Sequence, residues 1–274
     1  MKLIFLDVDG TLVNPGKQVS DVTKHAIAAA REKGNKVFLC TGRTEAFLPD
    51  ELKLHAFDGG IFAAGARVML GERLLSERPM PEPLRDRIEA ELNALGIYYN
   101  YETNQGAFAC NRPMIRLTEE ELAKASSEVL RVIEMLQSYP KKSLSEYRGE
   151  AVYKISFWAE SPEQAAELRR RLPEAKVVTF ENFGLDLPCF GGEVSDPDVN
   201  KATAMRLLCA HLGCTEADCI AFGDSMNDAE IMEAAGLGIA MGNAEPQLKA
   251  LADLICGDCD DDGVAKELER LGLI

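Results

Sequence analysis

Short runs of consecutive apolar residues, each ended abruptly by polar residues, mark the first and last parts of the chain. Leu3-Ile4-Phe5-Leu6 runs into Asp7, Val37-Phe38-Leu39-Cys40 into Thr41, and Cys219-Ile220-Ala221-Phe222 into Gly223-Asp224. Unbroken runs of this length, without polar alternation, read as strands buried on both faces, as in a parallel sheet covered by helices. The segments between them supply the helices. Ser20 caps a helix through about Lys33, ended by Gly34; the strand at Val37 follows, then a helix from Glu45 and a strand from Gly60 to Ala64. Val68-Met69-Leu70 and Arg73-Leu74-Leu75, separated by Gly71-Glu72, read as a tight hairpin. From Asn200 the same rhythm resumes: a helix to Leu212, the strand at Cys219, a helix from Asp228 to Ala235 and a strand from Leu237 to Met241. A helix from Pro246, a short strand near Leu254 and a helix from Gly263 complete it.

The middle of the chain breaks this pattern after Pro79, Pro81 and Pro83. A helix from Leu84 to Leu95 leads to strand-like pieces at Ile97 to Glu102 and Ala107 to Cys110. Thr118 and Glu121 form a capping box for a helix to about Gln137. Ala151 to Ala159 reads as a strand, Ser161-Pro162 opens a helix with Gln164 at the box position, and Lys176 to Phe180 with Leu185 to Phe190 reads as a hairpin. The expected fold is α/β: a Rossmann-like parallel sheet with helices on both faces, formed by residues 1–80 and 190–274, with an inserted α+β domain at 81–189.

Composition narrows the partners. The 274 residues include 45 acidic and 30 basic ones, a formal charge of -15. That disfavours a nucleic-acid or anionic-membrane partner, since both need a basic surface. It leaves room for a small anionic substrate, because a metal ion and one lysine can reverse a local field. No apolar run approaches the roughly 20 residues needed to span a bilayer. Met1 to Leu6 is stopped by Asp7 short of a signal peptide's apolar core, so a cytoplasmic location is expected. Among the eight cysteines, Cys256-Gly257-Asp258-Cys259 lacks a second tight pair for zinc and runs into Asp260-Asp261-Asp262, whose charge opposes thiolate formation. Cys40, Cys209 and Cys219 lie in apolar runs, and the cysteines read as reduced, structural thiols.

The polar residues that end the apolar runs carry the candidate chemistry. Loops that follow the strands of a parallel sheet share one edge, where ligands bind. Asp7, on a rigid strand end, is the candidate nucleophile, since Asp carboxylates form aspartyl phosphates. Asp9, in the turn opened by Gly10, is placed for general acid–base work. Thr41-Gly42 supplies a hydroxyl and an unobstructed N–H just where a helix begins, an anion cradle or an ordinary helix cap. Asp224 and Asp228, with Asn227, offer hard oxygen donors that suit Mg²⁺. Lys201 is the basic residue of an acidic approach to a helix, and taken alone it reads as a solvated surface lysine.

Together these segments resemble the haloacid dehalogenase superfamily of phosphohydrolases, across the whole chain. Asp7-Val8-Asp9-Gly10-Thr11-Leu12-Val13 resembles its first motif, Thr41 its second, Lys201 its third and Gly223 to Asp228 its fourth. The insertion between the second and third motifs resembles the Cof-type branch with a large α/β cap, as do Met241-Gly242-Asn243-Ala244 and Asp262-Gly263-Val264-Ala265. The resemblance implies a Mg²⁺-dependent phosphatase acting on a small phosphomonoester, a sugar phosphate or similar metabolite, with a cap that contacts the leaving group. It implies Mg²⁺ held by the Asp7 carboxylate, the Asp9 carbonyl and Asp224 with Asp228 beside it. Thr41, Gly42, Lys201 and Asn227 would then bind phosphate, and Arg43 would contact substrate. One departure stands out: the branch usually carries Asn-Gly-Ala after the third strand, and here the sequence is Ala64-Gly65-Ala66.

Three readings compete. A phosphomutase on the same fold would use the same two aspartates, and a non-catalytic phosphate-binding module would be expected to have lost them. A dinucleotide-binding oxidoreductase has only Gly236-Leu237-Gly238-Ile239-Ala240-Met241, which lacks the third glycine and begins where a helix ends. His25, His55 and His211 have no triad spacing, and no Gly-x-Ser-x-Gly occurs. In the inserted domain, Asn111, Arg112 and Tyr98-Tyr99-Asn100-Tyr101 are the candidate contacts to the leaving group, with a buried strand as the alternative for the tyrosines.

Overall fold

The computed structural model describes residues 1–14, 17–49, 52, 56–110, 141–179 and 190–274. The chain divides into two compact units, Met1–Glu77 with Val199–Ile274, and Arg78–Asp198.

The first unit is built on an eight-stranded sheet. Strands β1 (Leu3–Leu6), β2 (Lys36–Cys40) and β3 (Gly59–Phe62) come from the start of the chain, followed by the antiparallel hairpin of β4 (Arg67–Leu70) and β5 (Arg73–Glu77). The second sheet takes β6 (Tyr98–Thr103), β7 (Gly106–Ala109), β8 (Lys141–Ser143), β9 (Lys154–Ala159), β10 (Lys176–Thr179) and β11 (Phe190–Ser195). The chain then returns to the first sheet with β12 (Cys219–Gly223), β13 (Leu237–Ala240) and β14 (Leu254–Ile255). The order in the first sheet is β14-β13-β12-β1-β2-β3-β4-β5, with all pairs from β14 to β3 parallel. Connections run outward in opposite directions from the β1–β12 pair, so a crevice opens at the carboxyl ends of these two strands.

The unbroken apolar runs do what their pattern requires, burying both faces. Ile4, Leu6, Val37, Leu39, Ile220, Phe222 and Ile239 point to one cluster, packed by Ala26, Ile27 and Ala30 of helix α1 (Asp21–Glu32). Leu3, Phe5, Phe38, Cys219 and Ala221 point to the other, packed by helix residues Ala202, Met205 and Leu208. The Ser20 side chain caps α1 by accepting from the Thr23 N–H, and Gly34 follows at φ +87, which only glycine adopts cheaply.

The second unit has a six-stranded sheet in the order β10-β11-β9-β6-β7-β8. One face is apolar: Tyr99, Tyr101, Phe108, Ile155, Phe157 and Val194 pack with Ile88 and Leu92 of α2 (Glu82–Ala94) and Ala165 and Leu168 of α3 (Pro162–Arg171). Asn100, Glu102, Lys154, Ser156 and Glu193 alternate with these residues, and so stand on the opposite face. There Lys154 pairs with Glu193 at 2.5 Å and Glu102 at 3.3 Å, and Ser156 donates to Glu102.

Two elements differ from the expectation. The helix expected from Glu45 is a single 3-10 turn, Glu45–Phe47, because Pro49 drives Leu48 into extended backbone at φ -77, ψ 136. The hairpin partner of β10 is Phe190–Ser195, with Lys176 opposite Ser195 and Thr179 opposite Gly192, not Leu185 to Phe190. Gly191 and Gly192 hid this strand. A Cβ at Gly192 would stand 2.4 Å from both the Phe157 ring and the Val178 carbonyl oxygen, so glycine there answers close packing and not a turn. As a result, residues 190–198 belong to the second unit, Arg78–Asp198. The helix from Thr118 to Gln137, together with Asn111, Arg112 and His55, lies outside the described residues. Among the described residues no helix is long and apolar enough to cross a membrane.

Candidate active site

Asp7 begins where β1 stops pairing, and its N–H still donates to the Phe222 carbonyl of β12 at 3.1 Å. The side chain is therefore carried by the central strand pair of the sheet, at the crevice. The third expected segment reaches the same point from far away. Lys201 is the first residue of α4 (Lys201–Leu212), whose Asn200 cap accepts from the Thr203 N–H at 2.8 Å. Instead of lying in solvent, Lys201 is 1% exposed. Its Nζ donates to Asp7 Oδ1 at 2.7 Å and to Asp228 Oδ1 at 2.5 Å. An ammonium is tolerated at such a depth only when paired, and two carboxylates supply the pairing.

The loop after β12 provides the other carboxylates. Asp228, 1% exposed, turns its second oxygen to the Asp224 N–H at 3.2 Å, drawing the loop tight before α5 (Ala229–Ala234). Gly223 has to be a glycine here, since a Cβ would meet the Asp228 carboxyl carbon at 2.5 Å. Gly10 faces the same constraint: it sits at φ +74, and a Cβ would stand 2.1 Å from Asp224 Oδ2. Asp7, Asp224 and Asp228 each bring one carboxylate oxygen within 4.8 Å of the others.

The charge at this point is unbalanced. Burial pushes the Asp7 carboxyl up to about 7, against the pull of Lys201 and with the added repulsion of Asp228 and Asp9. Burial alone would lower Lys201, but Asp228 and Asp7 hold its ammonium well above the ordinary value. One ammonium facing three carboxylates leaves the pocket short of positive charge. Hard anionic oxygens in a charge-deficient cluster fit a divalent cation of the Mg²⁺ type.

The second segment sits beside this cluster on β2. Thr41, 1% exposed, donates its N–H to the Ile61 carbonyl at 2.9 Å and accepts at Oγ1 from the Arg43 N–H at 3.1 Å. Arg43 does not project freely: Nε donates to Asp9 Oδ2 at 2.8 Å and Nη2 to Asp9 Oδ1 at 2.5 Å. The Asp9 side chain is thus drawn to Arg43, apart from the three gathered carboxylates. Asn227 is exposed, and its Oδ1 accepts from the Ser225 hydroxyl at 3.0 Å. Among the described contacts nothing joins its side chain to Asp7.

Two segments that stood out in the sequence make contacts it did not assign. Asn243, in the loop after β13, donates from Nδ2 to the Gly10 carbonyl at 2.8 Å and accepts at Oδ1 from the Cys259 N–H at 2.9 Å. It ties the first-motif turn to the C-terminal segment; Gly242-Asn243 directly after a strand was the available signal. The second is the turn after β3, where Ala63 and Ala64 both have positive φ, 49 and 55. Ala63 N–H donates to the Arg43 carbonyl at 2.8 Å and Ala64 N–H to the Thr41 carbonyl at 3.0 Å, so this strained turn clamps the second segment. Gly65 completes it, with the position of a Cβ only 2.2 Å from the Asn200 carbonyl oxygen beside Lys201.

The parallel strands of this sheet carry a carboxylate-lined crevice at their switch point with a place for a cation, and sequence comparison assigns the family. The sequence model of the haloacid dehalogenase-like hydrolases matches residues 4–268, and the chain belongs to that family. It is similar to an HMP-PP phosphatase of Cronobacter sakazakii, 30% identical over 269 residues that cover 96% of this chain and 92% of the relative. A solved haloacid dehalogenase-like hydrolase from B. subtilis is 27% identical, with a TM-score of 0.81 over 99% of this chain and 100% of the other. A sugar phosphatase of HAD subclass IIB is 25% identical, with a TM-score of 0.79 over 100% of both chains. The coverage spans both units, so the insertion is shared as well as the sheet.

Proposed function

We propose that this chain is a Mg²⁺-dependent phosphatase that hydrolyses a small phosphomonoester, a sugar phosphate or similar cytoplasmic metabolite, through an aspartyl phosphate on Asp7. The observation that carries the reading is the convergence of Asp7, Asp224, Asp228 and Lys201 at the β1–β12 crevice, with Asp7 and Lys201 hydrogen-bonded although 194 residues apart. Named relatives that act on different phosphorylated compounds support the class and leave the substrate open.

Asp7 Oδ attacks phosphorus in line, the bond from phosphorus to the leaving oxygen breaks, and Asp9 gives that oxygen a proton. Asp9 then takes a proton from water as the water oxygen attacks the aspartyl phosphate. Phosphate leaves, and Asp7 is regenerated. Lys201, Thr41 and Gly42 face the equatorial phosphoryl oxygens, where charge is spread in a loose transition state, with Asn227 at the exposed rim of the fourth segment. Mg²⁺ held by Asp7, Asp224 and Asp228, with the Asp9 carbonyl, would neutralise the nucleophile and the phosphoryl group, two anions that otherwise repel. Leaving-group selection would fall to residues of the second unit, Arg78–Asp198. Tyr99 and Tyr101 are not candidates, since both rings are buried and both hydroxyls donate to Glu89.

A panel of phosphorylated metabolites assayed for released phosphate, with Mg²⁺ and after chelation, tests the class. Asp7→Asn keeps the shape and removes the nucleophile, so turnover should vanish. Retention of more than about a tenth of wild-type turnover, a barrier change under ~1.4 kcal/mol, would sink the assignment.

A further inference from the structure

Arg43 is held at three points besides Asp9. Its Nη1 donates to the Phe47 carbonyl at 2.9 Å, its N–H to Thr41 Oγ1 at 3.1 Å, and its carbonyl accepts from Ala63 N–H at 2.8 Å. The Phe47 carbonyl is presented by the short Glu45–Phe47 turn, so the truncation of the expected helix at Pro49 has a consequence for the site. From this fixed base the guanidinium reaches Asp9 with both ends of one edge, Nε to Oδ2 and Nη2 to Oδ1. A two-point fork takes one lone pair from each carboxylate oxygen and fixes the plane of the carboxylate, which a single ammonium does not do. Asp9 needs such a guide, because it lies past the end of β1 beside Gly10 at φ +74, in a turn closed by an isolated bridge to Val13 and outside the continuous strand.

We infer that Arg43 is a positioning residue for Asp9, setting the direction of the carboxylate that handles the leaving-group and water protons, and is not a contact to substrate. The inference rests on the role proposed for Asp9 above. A phosphate gripped by the Nε/Nη2 edge would require breaking the fork, and Nη1 is already committed to the Phe47 carbonyl. The two roles leave different kinetic marks: a substrate contact acts on binding, whereas a guide for Asp9 acts on turnover and only through Asp9.

The test is a double-mutant cycle of Arg43→Met and Asp9→Asn, with Arg43→Lys as the variant that keeps charge and loses the fork. Arg43→Met should lower kcat for an alkyl phosphate roughly 10–100-fold, as expected for a misplaced catalytic group. KM should move less than about threefold, and Arg43→Lys should recover little. In single-turnover measurement a nitrophenyl phosphate should suffer much less, because its leaving group needs little protonation. In the Asp9→Asn background, removing Arg43 should cost nothing further. A KM rise of roughly tenfold with kcat retained would make Arg43 a substrate contact and overturn the inference. Losses that multiply in the double variant would overturn it too. Urea unfolding without metal supplies a readout independent of turnover: the double variant should shift the midpoint by less than the sum of the two single shifts, since both remove the Asp9–Arg43 pair while Arg43→Met also loses the Phe47 carbonyl bond, and additive shifts would count against it. A wild-type protein with no Mg²⁺-dependent phosphate release would overturn the phosphatase reading and this inference together, whereas an active wild type with additive losses overturns this inference alone.

Discussion

Ala64 adopts φ 55, ψ 28, and its neighbour Ala63 also has positive φ. A residue with a Cβ loses about 1–2 kcal/mol in this left-handed region, and asparagine tolerates it best after glycine. The strain is maintained by the hydrogen bonds to the Thr41 and Arg43 carbonyls and by Gly65 packed against Asn200. Ala64→Asn, the residue the Cof-type branch usually carries at this place, should therefore raise stability by about 1 kcal/mol, read as a higher urea midpoint at unchanged slope. A lower midpoint would mean that the new side chain clashes and that alanine is there for space. Gly10→Ala should act in the opposite direction. At φ +74, with the added carbon aimed at Asp224 Oδ2, it should weaken Mg²⁺ activation well before it unfolds the protein. A Mg²⁺ titration of phosphate release, run beside thermal unfolding, separates the two effects.

At the scale of elements, the loop entering β3 is joined to α1 and β2 by one carboxylate. Asp58 Oδ2 accepts from Arg31 Nε at 3.0 Å and from the Val37 N–H at 3.0 Å, and Oδ1 accepts from Lys36 Nζ at 2.8 Å. Burial works against the charge on Asp58, but Lys36, the Val37 N–H and Arg31 outweigh it and hold the carboxyl below its ordinary value. A depressed acid contributes stability above its unfolded pKa, near 3.9, and loses it as pH falls through the folded value. Asp58→Asn should cost roughly 1–3 kcal/mol near neutral pH, the range for charge-assisted bonds. The gap to wild type should stay flat down to about pH 5 and close below about pH 4, as the wild-type carboxyl protonates. Denaturant melts of both proteins across that range decide the matter, and a gap that persists into strong acid would assign the loss to packing.

At the scale of the whole molecule, the residues gathered at the β1–β12 crevice would, on the proposed reading, touch the phosphoryl group and its cation, which are common to every phosphomonoester. Preference among leaving groups then has to come from residues outside the crevice, and Arg78–Asp198 is the large set without another assignment. Joining Glu77 to Val199 by a short Gly/Ser linker should preserve some Mg²⁺-dependent hydrolysis of a small activated ester. The same excision should flatten the ranking of natural phosphates, each lost contact being worth roughly 1–3 kcal/mol. A folded core that ranked the panel with the ratios of the intact protein would place selectivity in the core.

The legible part of this protein was the part written in consecutive residues. Apolar runs of strand length, the glycines and aspartates that end them, and the Ser20 cap are local features, so the sheet, its parallel sense and the loops carrying Asp7, Thr41 and Asp224 could be read from the chain alone. Lys201 could not. Nothing within ten residues of it says that its ammonium will be enclosed, because its partners are Asp7 and Asp228, 194 and 27 residues away, and only the stacking of α4 on the sheet brings them within reach. The same holds for the fork from Arg43 to Asp9, the Asn243 bridge to Gly10, and a strand whose two glycines look like a turn until Phe157 lies against them. Local sequence sets backbone preference and which faces are apolar. Which charges face each other, and at what depth, depends on the packing of segments distant in the chain, and that arrangement is decided only when the core closes.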